Sequence, residues 1–144
     1  MKKLLSFTLV ICLILACSIS ASCKDSSASA NATIVYSSET MVVIKVDEVS
    51  GNATLIHAFD SVKGDNFNYE ISGGMITSVN GVQNTADWSY CWMIYTNDAD
   101  FSNSAWGFIT HNGEEFGSAI LGAESLPVTA NCLYILNYTY FPPN

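Results

Sequence analysis

Three stretches of this chain carry side chains at spacings where chemistry is conceivable. His57, Asp60 and Ser61 fall at i, i+3 and i+4, one turn of a helix, where an imidazole can activate a hydroxyl. Neither a nucleophile elbow nor an oxyanion signature surrounds them, so the expectation is a solvated helix face. Residues 97–103 (NDADFSN) place oxygen ligands at alternate positions, as a calcium loop does. Counted from Asp98, however, Asn103 stands where the loop needs glycine and Ile109 where it needs the closing acid. That favours a solvated loop held by Asx turns. His111, in a His-Asn-Gly turn, lies far from His57, and Cys91 far from Cys132, so zinc-ligand spacing is missing. Gly73-Gly74 precedes a strand-like run and no helix, which removes a phosphate-cradling loop. The chain is therefore expected to be non-enzymatic, with no catalytic residue, no metal and no cofactor.

The aromatic side chains are the remaining chemical feature. Trp88, Tyr90, Trp92, Tyr95 and Trp106 precede a closing group of Tyr134, Tyr138, Tyr140 and Phe141. In a strand over residues 90–96, alternation puts Tyr90, Trp92 and Ile94 on one face and Cys91, Met93 and Tyr95 on the other. Core packing accounts for most of them. One face is expected to meet a helix and the other to stay free, as a patch for a protein partner, a flat ligand or a glycan.

Composition narrows the partners further. The formal net charge is −8 and arginine is absent. Phosphate neutralisation is out of reach, so no nucleic-acid partner is expected. An anionic membrane would repel such a chain unless a lipid anchor held it. The N-terminus begins Met-Lys-Lys, continues with an apolar run over residues 4–16 and exits through small residues. This is the three-part pattern of a signal peptide over residues 1–22, too short for a permanent membrane span. Cys23 and Cys17 each satisfy part of a lipoprotein cleavage pattern. Residues 23–32 form a polar tether, and the folded domain is expected over 33–144, either lipid-anchored at the cell surface or freely extracellular. Cys91 and Cys132 remain in that domain, either as a disulfide or as two buried thiols. Sequons at Asn31, Asn52 and Asn137 matter only in a eukaryotic secretory pathway.

The elements that must position these groups follow from periodicity. Residues 33–36 and 41–46 make an opening hairpin, with Val42, Ile44 and Val46 on one face. Leu55, Phe59 and Val62, with Ile56 beside them, form the apolar stripe of a short helix capped by Ser50 or Asn52. Residues 75–79 run into Asn80-Gly81, a tight-turn signal. Residues 90–96, 108–110, 115–116 and 132–141 complete the strands. This order points to one α+β domain.

The run GGMITSVNGV over residues 73–82, followed by YCWMIY over 90–95, resembles the transcobalamin-like C-terminal domain, where a GG-x-ITSINGV-type hairpin precedes a YW-x-x-Y-type strand. Trp106-Gly107 and the stretch from Gly122 to Tyr134 add to the likeness, which extends over residues 33–141. The resemblance implies a β-grasp-like mixed sheet packed on one short helix, with an extra β-hairpin. It also implies a ligand-binding surface from Val79, Asn80, Gly81, Val82 and Trp92, with Tyr90 standing in for a motif tyrosine displaced by Cys91. In vertebrate cobalamin carriers this domain is one half of a clamp whose helical other half is missing here. The expected function is thus a non-catalytic exported binding or interaction module, for an unknown protein, glycan or small ligand. The alternative is a carrier for cobalamin or a related corrinoid.

Overall fold

The computed structural model describes residues 27–64 and 66–141. The expected signal segment, Cys17, Cys23 and the start of the expected tether lie outside them. Among the described residues are nine strands and one helix. The strands are β1 (Ser29–Ser37), β2 (Met41–Ser50), β3 (Tyr69–Ser72), β4 (Met75–Val79), β5 (Val82–Gln83), β6 (Tyr90–Thr96), β7 (Ser102–His111), β8 (Glu114–Ala119) and β9 (Leu133–Tyr140); the helix is α1 (Leu55–Val62). Six strands form one sheet in the order β1-β2-β9-β6-β8-β7, and β3-β4-β5 form a second. Every pairing is antiparallel. β1 already begins at Ser29, so residues 29–32, expected in the tether, pair with the end of β2.

The expectation of an α+β domain with a β-grasp-like sheet is overturned: the described residues are mostly strand with one short helix. A mixed sheet needs a parallel pair, and β9 instead lies antiparallel between β2 and β6. The single-layer geometry fails on size as well. An eight-residue helix is ~12 Å long, whereas six strands span ~24 Å from first to last axis. The helix covers only one side of the large sheet, where its main neighbour is β1. The three-stranded sheet and the stretch 123–128 cover the rest. Val42, Ile44 and Val46 meet Leu55, Ala58 and Phe59 there, with Ile76 and Val79 from β4 and Leu126 from the late loop.

The opposite face is not free either. Val43, Tyr95, Phe116 and Ile135 form a second buried cluster, flanked by Met41, Met93, Ile109 and Leu133. The sheet curls enough for its two edges to touch: the Tyr36 ring on β1 lies 5.6 Å from His111 on β7. A strand buried on both sides should read as a continuous apolar run, and Val42-Val43-Ile44 and Tyr134-Ile135-Leu136 do. Between Asn103 and Phe108, β7 bulges out of its pairing with β8 and carries Trp106 into solvent.

The helix starts later than the cap signals suggested. Thr54 is the N-cap, and its backbone N–H donates to Nδ1 of His57 at 3.1 Å. The imidazole thus takes the place that Glu or Gln holds in a capping box.

Candidate binding site at the aromatic pole

The helical trio does not converge. His57 caps the helix, Asp60 accepts from the Tyr69 hydroxyl at 2.7 Å, and Ser61 donates to the Ala58 carbonyl at 2.8 Å. Burial and the neighbouring Asp60 carboxylate push the Tyr69 hydroxyl well above its ordinary range. The loop at 97–103 is likewise built inward. Asn97 accepts from the Leu133 N–H and donates to Glu114. The buried Asp98 accepts from the Asp100 N–H in an Asx turn and from the Tyr134 hydroxyl. Among the described residues no three His, Cys, Asp or Glu side chains gather as metal ligands would.

The cysteine pair resolves as two free thiols. Cys91 sits opposite Thr139 on β9, and Cys132 lies seven residues back from Thr139. At ~3.3 Å per residue the two are ~23 Å apart along the strand, far beyond disulfide reach. Burial pushes both thiols above their ordinary pKa, Cys132 also through the Asp98 charge. Neither is a nucleophile by the usual criteria.

The residues suggested by resemblance separate into structural and exposed groups. Asn80 and Gly81 form the turn between β4 and β5, both with positive φ (50° and 82°), the geometry for which Asn-Gly is selected. Asn80 exchanges two hydrogen bonds with the Asn68 backbone. Val79 is fully buried. Trp92 is only 4% exposed, and its indole Nε1 donates to the Val82 carbonyl at 2.8 Å. Its backbone N–H donates to the Asn84 side-chain oxygen, while the Tyr138 hydroxyl donates to the Gln83 carbonyl. Trp92, Asn84 and Tyr138 thus clasp the small sheet to the large one. Tyr90 alone of the six is an exposed aromatic, at 45%, with Tyr138 and Tyr140 rings 5.8 Å and 5.3 Å away.

What the sequence left scattered, the fold collects at the end of the large sheet that carries Tyr90. Trp88, Tyr140, Phe141 and Met75 are all exposed at this end of β6 and β9. Met75, Trp88, Cys91, Met93 and Phe141 line a cleft of about 350 Å³ with an apolar wall. Across Met75 and Met93 it meets a second cleft of about 260 Å³, where β6 and β8 part after Tyr95–Ser118 and the loop at Ile120 and Leu121 forms the far side. Gly122 makes this approach possible. Gly73 and Gly74 turn β3 into β4 with φ of 60° and 80°, and a Cβ at Gly122 would collide with the Gly74 carbonyl oxygen. Met75 carried no period that singled it out; Trp88 and Phe141 were visible only as further aromatic residues.

The pole also has a defined relation to the N-terminus. Ser29 pairs with Ser50 at one end of the sheet, whereas Tyr90 pairs with Tyr140 at the other. Following β2 from Ser50 to Met41, opposite Asn137, and then β9 to Tyr140 covers up to ~40 Å of strand. The polar residues preceding β1 therefore join the molecule at the end far from the aromatic cluster. No family model, no curated protein and no solved structure matches this chain.

Proposed function

We propose that the chain is a non-catalytic exported module, held at the cell surface by a lipid on Cys23 or Cys17, that binds its partner through the aromatic pole. The observation that carries this reading is the apolar cleft walled by the exposed Met75, Trp88 and Phe141 with Cys91 and Met93, at the end of the sheet far from the start of β1, with Tyr90 and Tyr140 exposed on the other face of the same end. Exposed aromatic residues grouped around a concavity are the usual material of binding hot spots. A tether at the other end would point them away from the membrane. The corrinoid alternative rests on the resemblance alone; Trp92, its chief contact, has its ring and its N–H committed inside the fold.

The test uses the protein as recovered after expression of the full chain, titrated with Nile red as a neutral apolar probe and separately with cobalamin and cobinamide. The expected result is saturable 1:1 dye fluorescence that is lost in a Met75→Ser, Phe141→Ser double variant, whose side chains are exposed and carry little of the core. Saturable quenching by a corrinoid would favour the carrier instead. No saturable response to any of the three would refute ligand binding at the cleft.

A further inference from the structure

The second wall of Trp88 borders a different kind of space. Glu70, Thr77, Gln83, Asn84, Thr85, Ala86 and Trp88 surround a hollow of about 270 Å³ whose wall mixes polar and apolar atoms. Its frame is fully bonded. Asn84 donates to the Ile76 carbonyl and accepts from the Trp92 N–H, and the Thr85 hydroxyl accepts from the Tyr90 N–H. Asp87 accepts from both the N–H and the hydroxyl of Ser89, which sets the loop that presents Trp88. The Trp88 N–H donates to the Thr85 carbonyl, and its backbone stands at φ 60°. The remaining groups behave oppositely. Among the described residues, the Glu70 carboxylate, the Thr77 hydroxyl, the Gln83 side-chain amide and the Trp88 indole N–H have no hydrogen-bond partner in the protein.

We propose that this hollow is a subsite for a neutral oligosaccharide, with one sugar ring stacked on Trp88 and its hydroxyls bonded by Glu70, Thr77 and Gln83. The proposal rests on reading this pole as a binding surface and assigns its ligand class. A pyranose has an apolar C–H face and a rim of hydroxyls that both donate and accept. The hollow offers the matching pair, an aromatic plate beside two acceptor-bearing groups, a hydroxyl and two N–H donors. A carboxylate here, with no lysine lining the space, disfavours acidic sugars and phosphates. The size suits one ring, with the rest of a chain running over the open rim.

Trp88 supplies an unusually clean test. Its left-handed backbone suits glycine better than a bulky residue, and its side chain is 44% exposed. Trp88→Gly removes the plate without a destabilising backbone change. Cellopentaose, chitopentaose, maltopentaose and xylopentaose are titrated calorimetrically into the full-chain product, the Trp88→Gly variant and a Gln83→Ala variant, with thermal melting as the fold control. The expected result is saturable binding of at least one probe, weakened about tenfold or more by Trp88→Gly and to a smaller extent by Gln83→Ala, at unchanged melting temperature. Binding of none of the four, or equal binding by Trp88→Gly, overturns the proposal. If Nile red still binds in either case, the sugar assignment falls while the pole remains a binding surface.

Discussion

Replacing Trp92 by phenylalanine separates a ligand contact from a structural clasp. In the native fold the indole N–H donates to the Val82 carbonyl at 2.8 Å, and the ring packs 5.3 Å from Tyr138. Phenylalanine preserves an aromatic ring but removes the donor. The Val82 carbonyl is then left without that partner beside the core, at a cost of about 1–3 kcal/mol. The smaller ring also gives up buried area, about 1 kcal/mol more. A total of about 3 kcal/mol, divided by a urea slope of about 1.5 kcal/mol/M for a domain of this size, lowers the unfolding midpoint by about 2 M. Equilibrium urea denaturation followed by far-ultraviolet circular dichroism measures this directly. Because Asn84 joins the same hairpin to the Trp92 backbone, an Asn84→Ala, Trp92→Phe cycle is expected to be non-additive. A midpoint shift below about 0.5 M would be the behaviour of a surface residue; it would refute the clasp and return Trp92 to the ligand-facing role.

Two further outcomes follow from the interior. Burial, reinforced by Asp98 and Cys132 for Tyr134 and by Asp60 for Tyr69, pushes both hydroxyls well above their ordinary range. Above pH ~10 the unfolded chain releases these protons while the folded chain retains them, so stability falls as pH rises. The loss is expected in urea titrations between pH 9 and ~11, and to flatten in Tyr69→Phe; an unchanged slope in that variant would contradict the assignment. Cys91 and Cys132 are expected to stay reduced, so peptide mass mapping after denaturing alkylation without reductant should find both alkylated; a Cys91–Cys132 linked peptide would contradict the β6–β9 register.

Local pattern carried much of the fold. The apolar stripe of Leu55 and Phe59 located the helix, Asn80-Gly81 its hairpin turn, and Val42, Ile44 and Val46 the face that meets the helix. These are signals of period and turn chemistry, which act over a few residues. The same signals could not say which strands are neighbours. Strands 134–136 and 42–44 were apolar on both faces, the mark of central strands covered twice, but alternation alone made them one-sided. The resemblance supplied the single-layer β-grasp expectation, and one-sided alternation agreed with its free sheet face. The separation of Cys91 and Cys132 was hidden for a related reason: adjacent strands make cysteines neighbours or strangers according to register, which composition does not encode.

The sequence by itself determined the antiparallel hairpins, the short helix, the net negative charge and the supply of aromatic residues. Only the tertiary structure decided how those residues divide. Pairing β9 between β2 and β6 sends Trp92 inward, where its N–H must find the Val82 carbonyl, and leaves Tyr90, Trp88 and Phe141 at the strand ends. Seating the small sheet beside β6 then lets Trp88 line both the apolar cleft and the mixed hollow at Glu70, Thr77 and Gln83. The physical reason is that alternation specifies faces, whereas exposure depends on what a distant segment places over each face.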